Sequence, residues 1–185
     1  MKISETVVVR GGGDLATGII WRLHRVGYRV VCLEAPLPTV IRRPVSAAEA
    51  VFAGQTCVEG LRFQLLPTGT FPVAEQTVPV WIDPQGESIA ELAPDVVVDA
   101  GDLLGHVGET PVTAAIGGLL RGLIHPSVPL KAKMKIGDID PRNEEGSWLT
   151  ISDKAMAVAG GVLEAILADL SEEDFFCPSL ELETA

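Results

Sequence analysis

The sequence predicts an α/β fold: a Rossmann-like, doubly wound parallel sheet, followed by a small all-β module and a C-terminal helix. Apolar β-branched runs alternate with helical patterns over residues 1–100. A glycine-rich stretch, RGGGDLATG, separates the first of these runs from the first helical pattern. Beyond residue 100, short apolar alternations are interrupted by glycine and proline every few residues, which is typical of a small all-β unit.

The N-terminal part of the sequence predicts a β–helix–β unit. TVVVR at 6–10 is an unbroken β-branched run, as expected for a parallel strand covered on both faces. Apolar residues at helical spacing predict a helix over 14–26, closed by a glycine, and a second strand over 28–34. A parallel pair connected through a helix implies a right-handed crossover.

The pattern continues to residue 100. It predicts a short helix over 46–54, a strand over 60–66, and two further strands over 78–84 and 94–101. A short helix over 87–93 separates the last two strands. We therefore expect residues 1–100 to form the nucleotide-binding domain.

The remaining chain divides into three parts. Residues 101–150 resemble a barrel-sandwich hybrid of the lipoyl-domain type, although the hairpin lysine of that fold is not evident. Residues 151–170 predict a helix that packs on the sheet, with Ser152 as its N-cap and Asp153 at the positive end of its dipole. Residues 171–185 form an acidic, unperiodic tail.

The amino-acid composition argues against several kinds of partner and indicates a cellular compartment. The 14 Lys and Arg residues are outnumbered by 25 Asp and Glu residues, and this balance repels nucleic acid and anionic lipid surfaces. Three widely separated cysteines form neither a disulfide framework nor a metal-binding spacing, and the histidines form no ligand pair either. No stretch has the apolar length of a membrane span. We expect a soluble cytoplasmic protein with no metal site and no nucleic-acid or membrane partner.

The glycine-rich turn is the main candidate site. Gly11, Gly13 and Ala16 have the G-x-G-x-x-G/A spacing, and Gly12 lies between the two glycines. The turn follows a strand and opens a helix whose first amides would face an anion, while Glu34 ends the second strand, where a ribose-binding carboxylate belongs. The stretch is either a nucleotide-binding or phosphate-binding turn, or a strand-to-helix bend without a ligand.

Other polar residues are also candidates for ligand binding, and their positions have ordinary structural explanations as well. Arg42 and Arg43 suit a 2′-phosphate or an anionic substrate, or form a solvated pair. The carboxylates of Asp138 and Asp140 are two residues apart, as in a pair that binds Mg²⁺ or orients a phosphate, or as in an ordinary Asp-Pro turn. A further pair, Asp99 and Asp102, follows a strand at the ligand-binding edge of the predicted sheet.

Several long segments together resemble the YqeB family, accessory proteins of selenium-dependent molybdenum hydroxylase systems. These segments are VVVRGGGDLATGIIWRLHRVGYRVVCLE, IRRPVSAAEAVFAG, VEG, PDVVVDA, LLRGLI, KIGDIDPR and ISDKAMAVAGGVLEAIL. The resemblance implies a cytoplasmic protein that helps to mature or supply a molybdenum hydroxylase. It covers Gly11, Gly12, Gly13, Asp14, Arg42, Arg43, Asp138, Asp140, Arg142, Ser152, Asp153 and Lys154 without assigning any of them a role.

Family members carry a further central segment between PDVVVDA and the β module, which this chain lacks. Three functions follow as hypotheses. The chain is a maturation factor that binds a nucleotide or a molybdopterin dinucleotide at the glycine-rich turn, an NAD(P)-dependent oxidoreductase that uses the same turn, or a scaffold that docks a molybdenum hydroxylase or its cofactor machinery.

Overall fold

A computed structural model describes residues 5–99, 119–131, 134–140 and 149–171. The main sheet contains β1 (Thr6–Arg10), β2 (Arg29–Glu34), β3 (Gln55–Val58), β4 (Leu61–Leu65), β5 (Thr77–Ile82) and β6 (Val96–Asp99). A separate antiparallel pair is formed by β7 (Leu119–Leu123) and β8 (Gly137–Asp140). The helices are α1 (Asp14–Arg25), α2 (Glu49–Ala53), α3 (Ser88–Leu92) and α4 (Asp153–Ser171).

The main sheet is mostly parallel, in the order β3-β4-β5-β2-β1-β6. The central strand β1 pairs with β2 on one side and with β6 on the other, and only β3 runs antiparallel, in a hairpin with β4. The registers place Arg10 beside Leu33 and Asp99, and Glu34 beside Ile82. The carboxyl ends of these four parallel strands therefore share one edge of the sheet.

Both faces of the sheet are covered. Val7 and Val9 lie under α1 in the larger apolar cluster, which also takes in Ala50 of α2. Val8 faces the opposite side, where it packs with Trp81 and, at the edge of that cluster, with Ile89 of α3. Because successive strand residues point to opposite faces, the unbroken valine run of β1 is buried on both sides.

Helix α4 runs parallel to α1 and packs along it. A Cβ atom on Gly18 of α1 would lie 3.0 Å from the Cβ of Ala155, and one on Gly160 would lie 3.6 Å from Nη1 of Arg22. Because position 18 meets 155 and position 22 meets 160, both helices begin at the same end. The sequence predicted the sheet as the partner of this helix; its principal neighbour is α1 instead, because Gly18 lets the two backbones approach closely.

The strand pair β7–β8 lies against the segment that follows β2. A Cβ atom on Gly122 would overlap the backbone oxygen of Ile41, so the two backbones are in direct contact there. These two strands, nine residues in all, belong to the predicted 101–150 module, most of whose other residues lie outside the described ranges. In the part of the chain that the structure describes, no helix is both long and apolar enough to cross a bilayer.

The predicted α/β class, the mostly parallel sheet and the C-terminal helix are confirmed. The Rossmann-like and barrel-sandwich assignments stay predictions, as do the predicted domain limits. Strand β3 was not predicted, and it joins β4 through the two-residue turn of Glu59 and Gly60. Both turn residues have positive φ, 45° and 83°. Hairpin turns of this kind favour Asn-Gly, so the Glu-Gly pair gives a weak sequence signal.

Candidate functional site

A cleft of about 990 Å³ opens at the carboxyl edge of the main sheet. It lies where the glycine turn, the ends of β1, β2 and β6, the start of α4 and the β7–β8 pair meet. Most of the residues predicted as a site line it: Gly11, Gly12, Gly13, Ala16, Glu34, Arg42, Asp99, Asp138, Ser152, Asp153 and Lys154. The structure thus gathers residues from both ends of the chain into one concave surface, as expected for an open α/β sheet.

Glu34 holds the glycine turn to the end of β2. Its Oε2 accepts a hydrogen bond from the Gly12 amide at 2.7 Å, and its Oε1 accepts one from the Ala35 amide at 2.7 Å. A Cβ atom on Gly12 would lie 2.8 Å from the backbone nitrogen of Ala48 and 3.1 Å from Oε2 of Glu34. Gly12 is therefore required by close packing, and Gly11 by its φ of 90°.

The carboxyl group of Glu34 is held away from water, and burial raises its pKa although the Ala35 and Gly12 amides lower it in part. Both of its oxygens already accept backbone hydrogen bonds, so a ribose hydroxyl would have to share them. The first role of Glu34 is consequently to shape the turn, and its predicted ribose contact remains a prediction.

Helix α1 begins in the cleft without a side-chain cap. Gly13 is its N-cap, in extended backbone with φ −64° and ψ 178°, and among the residues that the structure describes no side chain caps the helix by a hydrogen bond. A Cβ atom at Gly13 would meet only Cγ1 of Val40, at 3.9 Å. The positive end of the α1 dipole therefore faces the cleft, where it favours an anion.

Arg42 connects three parts of the site. Its Nη1 lies 3.2 Å from Oδ2 of Asp14 in the first turn of α1, and its Nη2 donates a hydrogen bond of 3.0 Å to the backbone oxygen of Thr150. The side chain is 6% exposed. Asp14, whose negative charge opposes an anion at this helix end, is thus balanced by a buried guanidinium.

Helix α4 presents its N-terminus to the same cleft. The Ser152 hydroxyl oxygen accepts a hydrogen bond of 3.2 Å from the Ala155 amide, as expected for the predicted N-cap. The preceding amide, of Ile151, donates to Oε1 of Glu59 at 2.8 Å, which fixes the start of the helix against the β3–β4 hairpin. Since α1 and α4 are parallel, two positive dipole ends point to one cleft.

The β7–β8 pair supplies a wall held by ion pairs. Nη2 of Arg121 lies 2.6 Å from Oδ2 of Asp138, and its Nη1 lies 3.3 Å from Oδ2 of the buried Asp140. Lys135 also reaches Asp138, at 2.6 Å. Burial alone would raise the pKa of Asp138, but the hydrogen bonds and charges of Lys135 and Arg121 lower it below the ordinary value. The two-residue spacing of Asp138 and Asp140 thus lets both carboxylates pair with Arg121.

Two predicted residues lie apart from the cleft lining. Arg43 faces Glu49, with two hydrogen bonds of 2.6 Å, and Asp140 is only 3% exposed. Each is directed to an ion pair within the chain, so neither placement supports the anion or Mg²⁺ contact considered for it. Asp102 and Arg142 lie outside the described residues.

The sequence analysis did not single out four residues that line the cleft: Arg10, Asp83, Arg121 and Lys135. Arg10 ends β1 directly before the glycine turn, and this position was its only local signal. Asp83 accepts hydrogen bonds from Gly86, Glu87 and Ser88 and so closes the turn after β5. Arg121 and Lys135 reach the site only through tertiary contacts.

Comparison with known proteins gives one curated relative. The chain is 28% identical to the "Uncharacterized protein YqeB" of Escherichia coli (strain K12), over 256 aligned positions that take in 88% of this chain and 47% of the relative. The resemblance to the YqeB family is thereby confirmed. The chain spans about half the length of this relative, as expected if it lacks a segment. No family model matches the chain. No solved structure matches it either.

Proposed function

We propose that this protein binds a nucleotide or a nucleotide-bearing cofactor in the cleft at the carboxyl edge of its sheet. The observation that carries the proposal is the meeting of two parallel helix N-termini, α1 and α4, at the glycine turn. The uncapped N-terminus of α1 attracts phosphate through its amides and its dipole, and α4, which Ser152 caps, adds the positive end of its own dipole to the same cleft.

The charges around the cleft suit an anion that is fixed in position. Arg10, Arg42, Arg121, Lys135 and Lys154 line it, together with several carboxylates that pair with them. These ion pairs hold the cations in place and limit the net attraction, so we expect selective binding of moderate affinity. The volume, about 990 Å³, is at the upper end of the range of ordinary cofactor pockets, roughly 300–1,000 Å³.

The cellular role follows from the family resemblance. We propose that the protein is an accessory factor of a selenium-dependent molybdenum hydroxylase and that its ligand is a nucleotide or a molybdopterin dinucleotide. The dinucleotide NAD(P) is the ligand of the alternative function, an oxidoreductase. Because the chain spans about half of its relative, this role is proposed for the part of the family fold that is present here.

Thermal-shift scanning tests the binding proposal directly. The purified chain is heated with NAD, NADP, CTP, GTP or ATP, and at a ligand concentration of about 100 times Kd the free energy of unfolding rises by roughly 2.7 kcal/mol. A preference for NAD or NADP would favour the oxidoreductase hypothesis over the maturation factor. Failure of all five nucleotides to raise the melting temperature at millimolar concentration would refute nucleotide binding.

Co-purification with a molybdenum hydroxylase distinguishes a nucleotide-binding protein from a passive scaffold. If nucleotide binding is the function, a bulky residue at Gly13 abolishes both the thermal shift and any support of hydroxylase activity. If the protein is a passive scaffold, the same variant still co-purifies with a molybdenum hydroxylase and still supports its activity.

A further inference from the structure

Arg10 occupies a special place in the sheet. The chain leaves β1 through α1 towards β2, whereas β6 arrives on the opposite side of β1. The direction of the connections therefore reverses between β1 and β6, and ligands of open α/β sheets bind outside the carboxyl ends at such a point. Arg10 ends β1 and Asp99 ends β6, and these two residues are paired in the register.

The side chains of Arg10 and Asp99 close this crevice. Nη1 of Arg10 lies 2.9 Å from Oδ2 of Asp99, and its Nη2 donates a longer hydrogen bond of 3.3 Å to the backbone oxygen of Pro84. The pair is accessible: the Arg10 side chain is 35% exposed and that of Asp99 is 60% exposed. Both residues line the cleft.

The other guanidinium groups of the cleft are less able to change partner. Arg42 is 6% exposed and anchors two separate segments. Arg121 is 21% exposed and serves two carboxylates, one of them buried. Exposed ion pairs are weak, so among the described guanidinium pairs of the cleft the Arg10–Asp99 pair is the one that an incoming anion exchanges most easily.

We propose that Arg10 is the ligand-contacting cation of the cleft and that Asp99 is the counter-ion which the anionic group of the ligand displaces. Guanidinium forks bind phosphate in two parallel hydrogen bonds, so the exchange replaces one carboxylate by a phosphate group. Asp99 then acts as a competitor, because its carboxylate occupies the same donors. This inference rests on the proposed function and names the residue that binds the negatively charged group of the ligand.

Two substitutions of opposite effect test this assignment. By calorimetric titration with the nucleotide that gives the native chain its largest thermal shift, Asp99→Asn strengthens binding about threefold because the competitor is removed. Arg10→Gln weakens it about tenfold, and Arg10→Lys, which keeps a charge but not the fork, lies between the two. A long-range effect of charge alone would leave the affinity of Arg10→Lys equal to that of the native chain, because this variant keeps the charge.

Glu49→Gln is the matched control, because it breaks the Arg43–Glu49 pair, whose residues do not line the cleft. This variant leaves the affinity unchanged. Equal or weaker binding by Asp99→Asn would overturn the assignment, even if Arg10→Gln failed to fold. If the native chain binds no nucleotide of the panel, the proposed function itself fails, so the two failures are distinct.

Discussion

The two walls of the cleft are built by different means. On the sheet side, the glycine turn is fixed by backbone contact and by amide hydrogen bonds to Glu34. On the opposite side, the β7–β8 pair holds Arg121, Asp138 and Lys135 together by charge. The first wall depends on shape and excludes side-chain atoms, whereas the second depends on the ionisation of its side chains.

This difference shows how one cleft combines a turn of fixed backbone with a wall of paired charges. The amides at the start of α1 keep their place because nothing larger than glycine fits at Gly12. The ion pairs of β7–β8 depend instead on the charged form of Asp138, whose pKa is lowered by Lys135 and Arg121.

The largest effect is expected where the two walls meet, at Gly122. A Cβ atom there would overlap the backbone oxygen of Ile41, so Gly122→Ala must move β7 away from the segment after β2. We expect the free energy of unfolding to fall by about 3 kcal/mol in chemical denaturation. Gly161→Ala is the control, because no atom lies within 4 Å of the added methyl group and alanine favours a helix. Equal stability of Gly122→Ala and the native chain would contradict the contact.

A smaller loss is expected at Gly12, on the sheet wall. Gly12→Ala places a methyl group 2.8 Å from the backbone nitrogen of Ala48, and the turn must shift. We expect a loss of about 2 kcal/mol in the free energy of unfolding. Gly13→Ala, one position along, meets only Val40 at 3.9 Å, so we expect a smaller loss, caused only by the poorer helix cap that alanine provides. If denaturant titrations place both variants at the same midpoint, the account of the turn is wrong.

The smallest effect is a difference in pH dependence between the walls. The folded-state pKa of Glu34 is raised from its ordinary value of 4.5, so its contribution to stability falls as the pH rises between that value and the raised one. The pKa of Asp138 is lowered from 3.8, so its contribution is present above 3.8 and is lost as the pH falls through the lowered value.

Glu34→Gln and Asp138→Asn therefore remove slopes of opposite sign, measured as the free energy of unfolding against pH. The Glu34 variant flattens the decline above pH 4.5, and the Asp138 variant flattens the decline below pH 3.8. Parallel curves for either variant and the native chain would show that the group does not titrate as described.

Local patterns predicted the sheet side of the site well. The valine run of β1, the glycine turn and Glu34 belong to one β–helix–β unit, in which spacing and burial are set within 30 residues or so. The β7–β8 wall was not predicted as a wall. Asp138 stood out because of its spacing to Asp140, but Arg121 and Lys135 carry no local mark of a site and reach the cleft only by tertiary packing.

Helix α4 likewise shows that local patterns predict an element but not its tertiary partner. Its existence and its cap at Ser152 follow from the periodicity and from a capping residue, which are local features. Its partner does not, because a glycine at position 18 is the reason that it packs along α1. The parallel alignment that brings two helix N-termini to one cleft was therefore visible only in the structure.

Gly13→Asp gives the most direct test of the central claim, that the cleft binds the phosphates of a nucleotide at the start of α1. Aspartate is a good N-cap in the extended backbone found at Gly13, so the variant keeps the melting temperature of the native chain or raises it slightly. Its carboxylate takes up the amides that would hold a phosphate and repels the ligand. In calorimetric titration the account predicts that the native chain binds a nucleotide and that Gly13→Asp binds it at least about tenfold more weakly. Equal affinity of the two proteins would contradict it.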